Sequence, residues 1–255
     1  MAARFATTLS QGATPTAFDP RHTLWGRVLE GFVQEARVDY ARLKARPADL
    51  DAYLGTVAAI APEDFARWPR DQRLATLLNL YNAQTLRLIA DHHPVASIKS
   101  IGLLPGSAWK MKIVKFGGRT MSLDDLEHGL LRKEFQEPRV HFALVCGARG
   151  CPPLRGEPYL AEKLDQQLDD QGRRFLADTS KNRVDPSAGT LWLSPIFDWF
   201  KADFTGQGGT LPGFVARFLP ESARNQLATL KEPRIRFTEY DWSLNELAST
   251  RPALP

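Results

Sequence analysis

Sulfur is scarce in this chain: two cysteines serve 255 residues, and both fall in one stretch, VHFALVCGARGCPPLR, from Val140 to Arg155. Long apolar runs are missing too. None approaches the roughly 20 residues needed to cross a bilayer, so no transmembrane segment is expected. The N-terminal MAARFATTLSQGATPTAFD lacks the apolar centre of a signal peptide. As written, the chain reads as soluble and cytoplasmic; its small, polar N-terminal composition would equally suit a periplasmic or secreted protein whose leader had been removed. Blocks of like charge are absent. Lys and Arg number 33 against 29 Asp and Glu, and the net charge of +4 is spread along the chain. That distribution gives no nucleic-acid-binding tail, and no nucleic-acid partner is expected. There is no internal repeat and no low-complexity segment.

What is present is ordinary for a soluble globular protein, with 43% apolar and 24% charged residues. The organisation expected is a flexible N-terminal segment over 1–23, a single globular domain over 24–247 and a C-terminal tail over 248–255. Leu24, Val28, Leu29, Phe32 and Val33 recur at helical spacing, and RPADLDAYLGTVAAI starts a second helix behind Pro47. In DQRLATLLNLYNAQTLRLIADHHP, the residues Leu74, Leu77, Leu78, Tyr81 and Leu88 form a wide apolar stripe that Pro94 ends, which predicts a central helix. AWKMKIVKFGGRTMS then alternates as a strand does, with Gly117-Gly118 as a hairpin turn. Strands and helices mix in the second half. The class is α+β: a helical N-terminal part packed on a small, mainly antiparallel sheet with flanking helices.

SLDDLEHGLLR has a readable helix start. Ser122 can cap, Asp125 occupies the reciprocal capping-box position, and Leu123, Leu126 and Leu130 form the buried stripe. His128 falls on a shoulder of that helix with Asp125 and Arg132, while Glu127 borders Leu123 and Leu131. RVHFALVC reads as a buried strand. Its alternation would put His141, Ala143 and Val145 on one face and Phe142, Leu144 and Cys146 on the other, which makes His141 a poor partner for Cys146. The CGARGC loop after it offers glycines and amides able to hold an oxyanion beside a thiolate. In LSPIFDWFKADF, Ser194 and Pro195 start a helix whose Ile196, Phe197, Phe200 and Phe204 form an aromatic core stripe, with Asp198 and Asp203 away from it. RIRFTEYDWSLN predicts a late strand and a turn, with Trp242 lining a ligand groove or closing the core.

The blocks LLNLYNAQTLRLI, SLDDLEHGLLR, RVHFALVCGARGCPPLR, LSPIFDWFKADF and YDWSLN resemble, in order, the family called domain of unknown function 547. The resemblance singles out Asn82, Glu127, His128, Arg132, His141, Cys146 and Cys151, and within it Cys146 is the better nucleophile candidate. It implies no activity.

Three chemistries fit these residues. In a thiol hydrolase or acyltransferase acting on an amide or ester bond, Cys146 attacks a carbonyl and His128 draws off its proton. Glu127 or Asn82 orients the imidazole, and Arg149 and Arg155 add positive charge near the thiol. This is the leading expectation, with a peptide, ester or small molecule as substrate. The alternative is a non-catalytic peptide- or glycan-binding domain in which Cys146 and Cys151 form a structural disulfide, and His141, Arg132, Arg149, Cys151 and Trp242 face the ligand. The spacing of the two cysteines is not that of thioredoxin-like motifs, which favours a clip over a redox enzyme. A metal site is the third possibility. No pair among His128, His141, Cys146, Cys151 and Asp91 to His93 has a recognised zinc-ligand spacing, so neither a metal nor any other cofactor is expected. Asn82, next to Tyr81 on the central helix, must satisfy a buried amide and is expected to bond the loop or the catalytic histidine.

Overall fold

The computed structural model describes residues 17–104 and 106–247. Of the N-terminal segment expected to be flexible, residues 1–16 lie outside the described residues, as does the tail 248–255. From Phe18 onward the chain is packed: the Phe18 ring stacks on Trp68, and Asp19 accepts the Thr23 amide at 3.0 Å to start α1 (Thr23–Phe32). His22 is buried and bonds the Tyr53 hydroxyl at 2.9 Å. A two-residue hairpin follows, β1 (Val33–Gln34) and β2 (Arg37–Val38), so Val33 ends the helical run instead of continuing it. Next come α2 (Tyr40–Ala45), α3 (Ala48–Ala58) behind Pro47, and α4 (Pro62–Arg67).

The axis of the molecule is α5 (Arg70–His92). Pro69 precedes it and Pro94 excludes its continuation, and between them the helix is buried from Leu74 to Leu86. Burial on every face forces its polar residues to find partners. Asn79 bonds both the carbonyl and the amide of Tyr159, at 2.8 and 3.0 Å. Asn82 does the same for the Ala143 carbonyl and the Val145 amide, at 2.9 and 3.0 Å. Each asparagine thereby replaces a strand neighbour for a segment that has none.

After α6 (Ser107–Lys110), the hairpin β3 (Val114–Phe116) and β4 (Arg119–Met121) turns at Gly117 and Gly118, whose φ of 58° and 69° match a type I′ turn. The strand is shorter than the sequence pattern suggests because Trp109 and Lys110 belong to α6. The capping box is formed: Ser122 Oγ accepts the Asp125 amide at 3.1 Å, and Asp125 accepts the Ser122 amide at 2.8 Å. The helix then widens into a π-helical stretch over Asp125–Leu131 before α7 (Arg132–Phe135). The larger turn alters which residues share a face, so Glu127 is buried with Leu126 and Leu131 while Leu130 is only partly covered.

RVHFALVC is not a strand. Val140–Ala143 is a short helix, α8, and the chain becomes extended at Leu144. Among the described residues no strand lies beside it to complete a ladder, and Asn82 supplies the backbone partners instead. The turn sends Val140 and Ala143 into one core and Phe142 into another, and it frees His141 from the alternation expected of a strand.

The C-terminal part contains α9 (Leu164–Ala177), β5 (Arg183–Asp185), β6 (Thr190–Leu193), α10 (Ile196–Trp199), α11 (Lys201–Phe204), α12 (Leu211–Ala216), α13 (Glu221–Ala228) and β7 (Arg234–Phe237). β6 is the centre of a three-stranded sheet, antiparallel to β5 and parallel to β7. The architecture is α+β, with small sheets among helices. A large core forms around α1, α3 and α5, and a second around Phe142, Phe175, Phe197, Phe204, Phe214 and Phe218. Among the described residues, no helix is long and apolar enough to cross a membrane.

Candidate functional site

A cavity of about 250 Å³ opens at the seam between the two cores. Its wall brings together Glu127, His128, His141, Cys146, Cys151 and Trp242, six residues singled out from the sequence and drawn from three separate segments. Tyr81 from α5, Trp109 from α6, and Trp199 and Phe200 from the C-terminal part complete an aromatic lining with Tyr240.

Cys146 and Cys151 are joined as a disulfide with their Cα atoms 6.4 Å apart. Their loop is held by backbone bonds to the chain's end: the Arg149 amide reaches the Ser243 carbonyl, the Gly150 amide reaches Asp241, and the Asn245 amide reaches Gly147, each at 2.8 Å. Gly147 has φ of 73° and lies against Ile89 and Tyr40, which leaves no room for a Cβ. The Cys146 amide points at Cys151 Sγ, 3.0 Å away, and the Cys151 amide bonds the Ala148 carbonyl. The amides of Cys146, Arg149, Gly150 and Cys151 are therefore spent. The Tyr240 hydroxyl reaches both sulfurs, 3.1 Å from Cys151 Sγ and 3.4 Å from Cys146 Sγ.

The two histidines have different settings. His128 is exposed at the rim, and its Nδ1 faces Arg132 Nη1 at 3.0 Å. Glu127 does not orient it; its Oε2 accepts the Tyr81 hydroxyl at 3.1 Å. His141 is 3% exposed, its ring stacked on Phe200 with centroids 3.9 Å apart, and its Nε2 lies 2.7 Å from Asp203 Oδ2. Arg132 grips the same carboxylate with two bonds of 2.6 and 2.9 Å. The hydrogen bond from His141, then that from Arg132, holds the Asp203 carboxyl well below the usual carboxylate range. His128 and His141 on the cavity wall are joined through Arg132 and Asp203 behind it into one continuous network. Burial, reinforced by the nearby Glu127 carboxylate, pushes the Tyr81 and Tyr240 hydroxyls above the usual tyrosine range, so both remain donors at neutral pH.

Three predicted residues act elsewhere. Asn82 supports the backbone leading to Cys146 from behind and does not bond a histidine. Arg149 is exposed on the loop, with Nε 3.4 Å from the Leu244 carbonyl. Arg155 is committed to Glu157 and Asp170, so it is not positioned to activate a thiol. His92 and His93 close the end of α5, bonding the Leu88 carbonyl and Glu246. Among the described residues no group of three His, Cys, Asp or Glu side chains could hold a metal ion.

Asp203 and Tyr240 are the functional groups that sequence reasoning misses. A single helix through LSPIFDWFKADF would turn Asp203 away from His141, but the chain breaks at Phe200 between α10 and α11 and brings the carboxylate back. The only sequence signal for it is a carboxylate just before the buried Phe204.

Fold and site together define an α+β protein with a sulfur- and imidazole-bearing aromatic cleft at the seam of two cores. Residues 65–176 match the family model described as "Protein of unknown function, DUF547". The matched span contains Glu127, His128, His141, Cys146 and Cys151, while Asp203, Tyr240 and Trp242 lie beyond it. No curated protein and no solved structure matches the chain.

Proposed function

We propose that, with Cys146 and Cys151 reduced, the cleft is the active site of a cysteine-dependent hydrolase or acyltransferase acting on an amide or ester bond. One observation carries this reading: His141, held at Nε2 by an ionised Asp203, borders the same cavity as Cys146. Cysteine, imidazole and orienting carboxylate are the ingredients of nucleophilic thiol catalysis, whatever their order in the chain. His141 replaces His128 as the base, because Asp203 leaves its Nδ1 for the proton while stacking on Phe200 fixes the ring. The Cys146 thiol passes its proton to His141, and the sulfur attacks the carbonyl carbon. The protonated imidazole then donates to the departing amine or alcohol, and water or a second acceptor takes the acyl group from sulfur. Tyr240 is the donor beside Cys146 for the developing oxyanion. Trp109, Trp199 and Trp242 favour an apolar or aromatic acyl portion.

The test is a burst assay on the reduced protein with p-nitrophenyl esters of acetate and phenylacetate. One equivalent of nitrophenol is expected per chain, abolished in Cys146→Ser and reduced at least about a hundredfold in His141→Asn, with His128→Asn close to wild type. A burst that survives Cys146→Ser rejects the reading.

A binding role is the second reading, favoured by the closed disulfide and by the cluster of Trp199, Tyr240 and Trp242, whose rings lie 4.6 to 5.8 Å apart. Such a platform stacks on the faces of sugars or aromatic side chains. Quenching of tryptophan fluorescence by an oligosaccharide or aromatic peptide in the oxidised protein, without turnover in the reduced one, would favour it.

A further inference from the structure

We propose that the Cys146–Cys151 disulfide is an exchange site that oxidises thiols entering the aromatic cleft, with Cys146 as the sulfur attacked and Cys151 as the sulfur that leaves. This goes beyond the acyl-transfer reading and stands or falls separately from it.

The two sulfurs are not equivalent. Cys146 is half-buried on the cavity wall, whereas Cys151 is 5% exposed. Cys151 Sγ is met by two donors, the Cys146 amide at 3.0 Å and the Tyr240 hydroxyl at 3.1 Å; Cys146 Sγ has the same hydroxyl at 3.4 Å. Donors aimed at a sulfur stabilise it as a thiolate, and a stabilised thiolate leaves faster in exchange. Both sulfurs border the cavity, but the half-buried Cys146 offers an incoming thiol more surface than Cys151, which is buried.

A staple is also unnecessary here. Three backbone bonds already hold the loop against residues 241–245, so its position does not depend on the sulfur bond, and opening the bond requires little rearrangement.

In the first step a thiolate attacks Cys146 Sγ, the Cys146–Cys151 bond breaks, and its electron pair departs on Cys151. A mixed disulfide between the incoming thiol and Cys146 results. A second thiolate attacks the incoming group's sulfur and releases Cys146 as a thiolate, and the two liberated sulfurs take up the protons. The pair gains two electrons, and two thiols become one disulfide. Closing the pair again consumes a disulfide oxidant by the reverse steps.

The oxidised full-length chain, mixed at one pH with 2-mercaptoethanol or benzyl mercaptan and quenched in acid, provides the test. Peptide mass mapping is expected to place the adduct on Cys146 with Cys151 as a free thiol. Measured against a linear reference disulfide, benzyl mercaptan should react about tenfold faster than 2-mercaptoethanol, through its fit to the aromatic walls. Equal normalised rates would overturn the role given to the cleft. Tyr240→Phe should slow adduct formation roughly tenfold by removing one of the two donors to Cys151. An adduct on Cys151 would overturn the assignment, as would a pair that opens only in denaturant or a Tyr240→Phe protein that exchanges at the wild-type rate. Because the site of the adduct is read on the wild-type chain, the answer does not depend on the variant folding. No ester or amide turnover enters the measurement, so failure of the hydrolase reading leaves it intact.

Discussion

The two cores are built on different principles. The larger one is organised by a continuous 23-residue helix, α5, covered by other helices whose aliphatic side chains meet it along most of its length. The smaller is a cluster of phenylalanines contributed by short segments: Phe142 lies within 6.1 Å, centroid to centroid, of Phe175, Phe197, Phe204, Phe214 and Phe218. A long helix carries its own backbone hydrogen bonds and needs only its faces covered. Short segments leave carbonyls and amides at every end, and those must be satisfied by neighbours. The cleft lies where the two regimes meet. The first supplies Tyr81 on a rigid support, and the second supplies Trp199 and Tyr240 to the wall and Asp203 behind it, bonded to His141.

The sharpest break in this contrast is expected at Leu78, fully buried in α5. Leu78→Ala should cost about 4 kcal/mol, the transfer free energy of the lost atoms plus a cavity that a rigid helix cannot close. Denaturant midpoints give the value. If the two cores melt together by fluorescence and circular dichroism, the helix supports both; separate transitions would show the aromatic core to be an independent unit.

A pH effect of slightly smaller size belongs to the larger core. Burial pulls the His22 imidazole down to about 4, so the folded protein keeps it neutral. The unfolded chain protonates it near 6.5, and a depressed histidine makes folding less favourable as pH falls through the interval between the two values. Its neutral form is fully compatible with folding above pH 6.5, and up to about 3 kcal/mol is lost between there and pH 4, with no further loss from this group below. Urea melts at pH 7, 5 and 4 measure it. His22→Gln, which does not titrate, should flatten that part of the profile.

Asn82→Ala probes the seam itself. It leaves the Ala143 carbonyl and the Val145 amide without their partner and should cost about 2 kcal/mol. Because Asn82 holds backbone and touches no histidine, the ester burst of the reduced protein should survive at temperatures where the variant is folded. A burst lost from a folded variant would give Asn82 a part in the chemistry.

Asp203→Asn is the mildest change in stability and the most local. Its carboxyl is depressed by His141 and Arg132, so its stabilising contribution is present above the unfolded value near 3.9 and fades as pH falls below that. The variant should lose the acid-side slope that this group contributes. The burst should fall far more than the melting temperature, because the amide neither orients His141 as firmly nor balances its charge.

Some of this was legible in the sequence for local reasons. Pro94 and the apolar spacing before it mark α5; Ser122 and Asp125 mark their capping box; Gly117-Gly118 marks the hairpin. Each signal acts within a few residues. The stretch from Val140 to Cys146 was misread because strand-forming residues count for little without a neighbouring strand, and what lay beside them was an asparagine of α5, 61 and 63 residues away in sequence. His128 and Glu127 sit together in the chain, yet they turn to Arg132 and Tyr81 and make no pair.

The sequence by itself determined the helical N-terminal half and the set of polar residues that gather at one place, because these follow from local spacing and residue type. Only the tertiary structure decided which histidine meets a carboxylate, which hydroxyl meets the sulfurs, and that the sulfurs are joined. Asp203 comes to His141 across 62 residues, and Tyr240 to Cys151 across 89. No local rule reaches that far: such pairings are fixed by how separate elements pack, and packing rewards the whole arrangement of buried surface and satisfied polar groups at once.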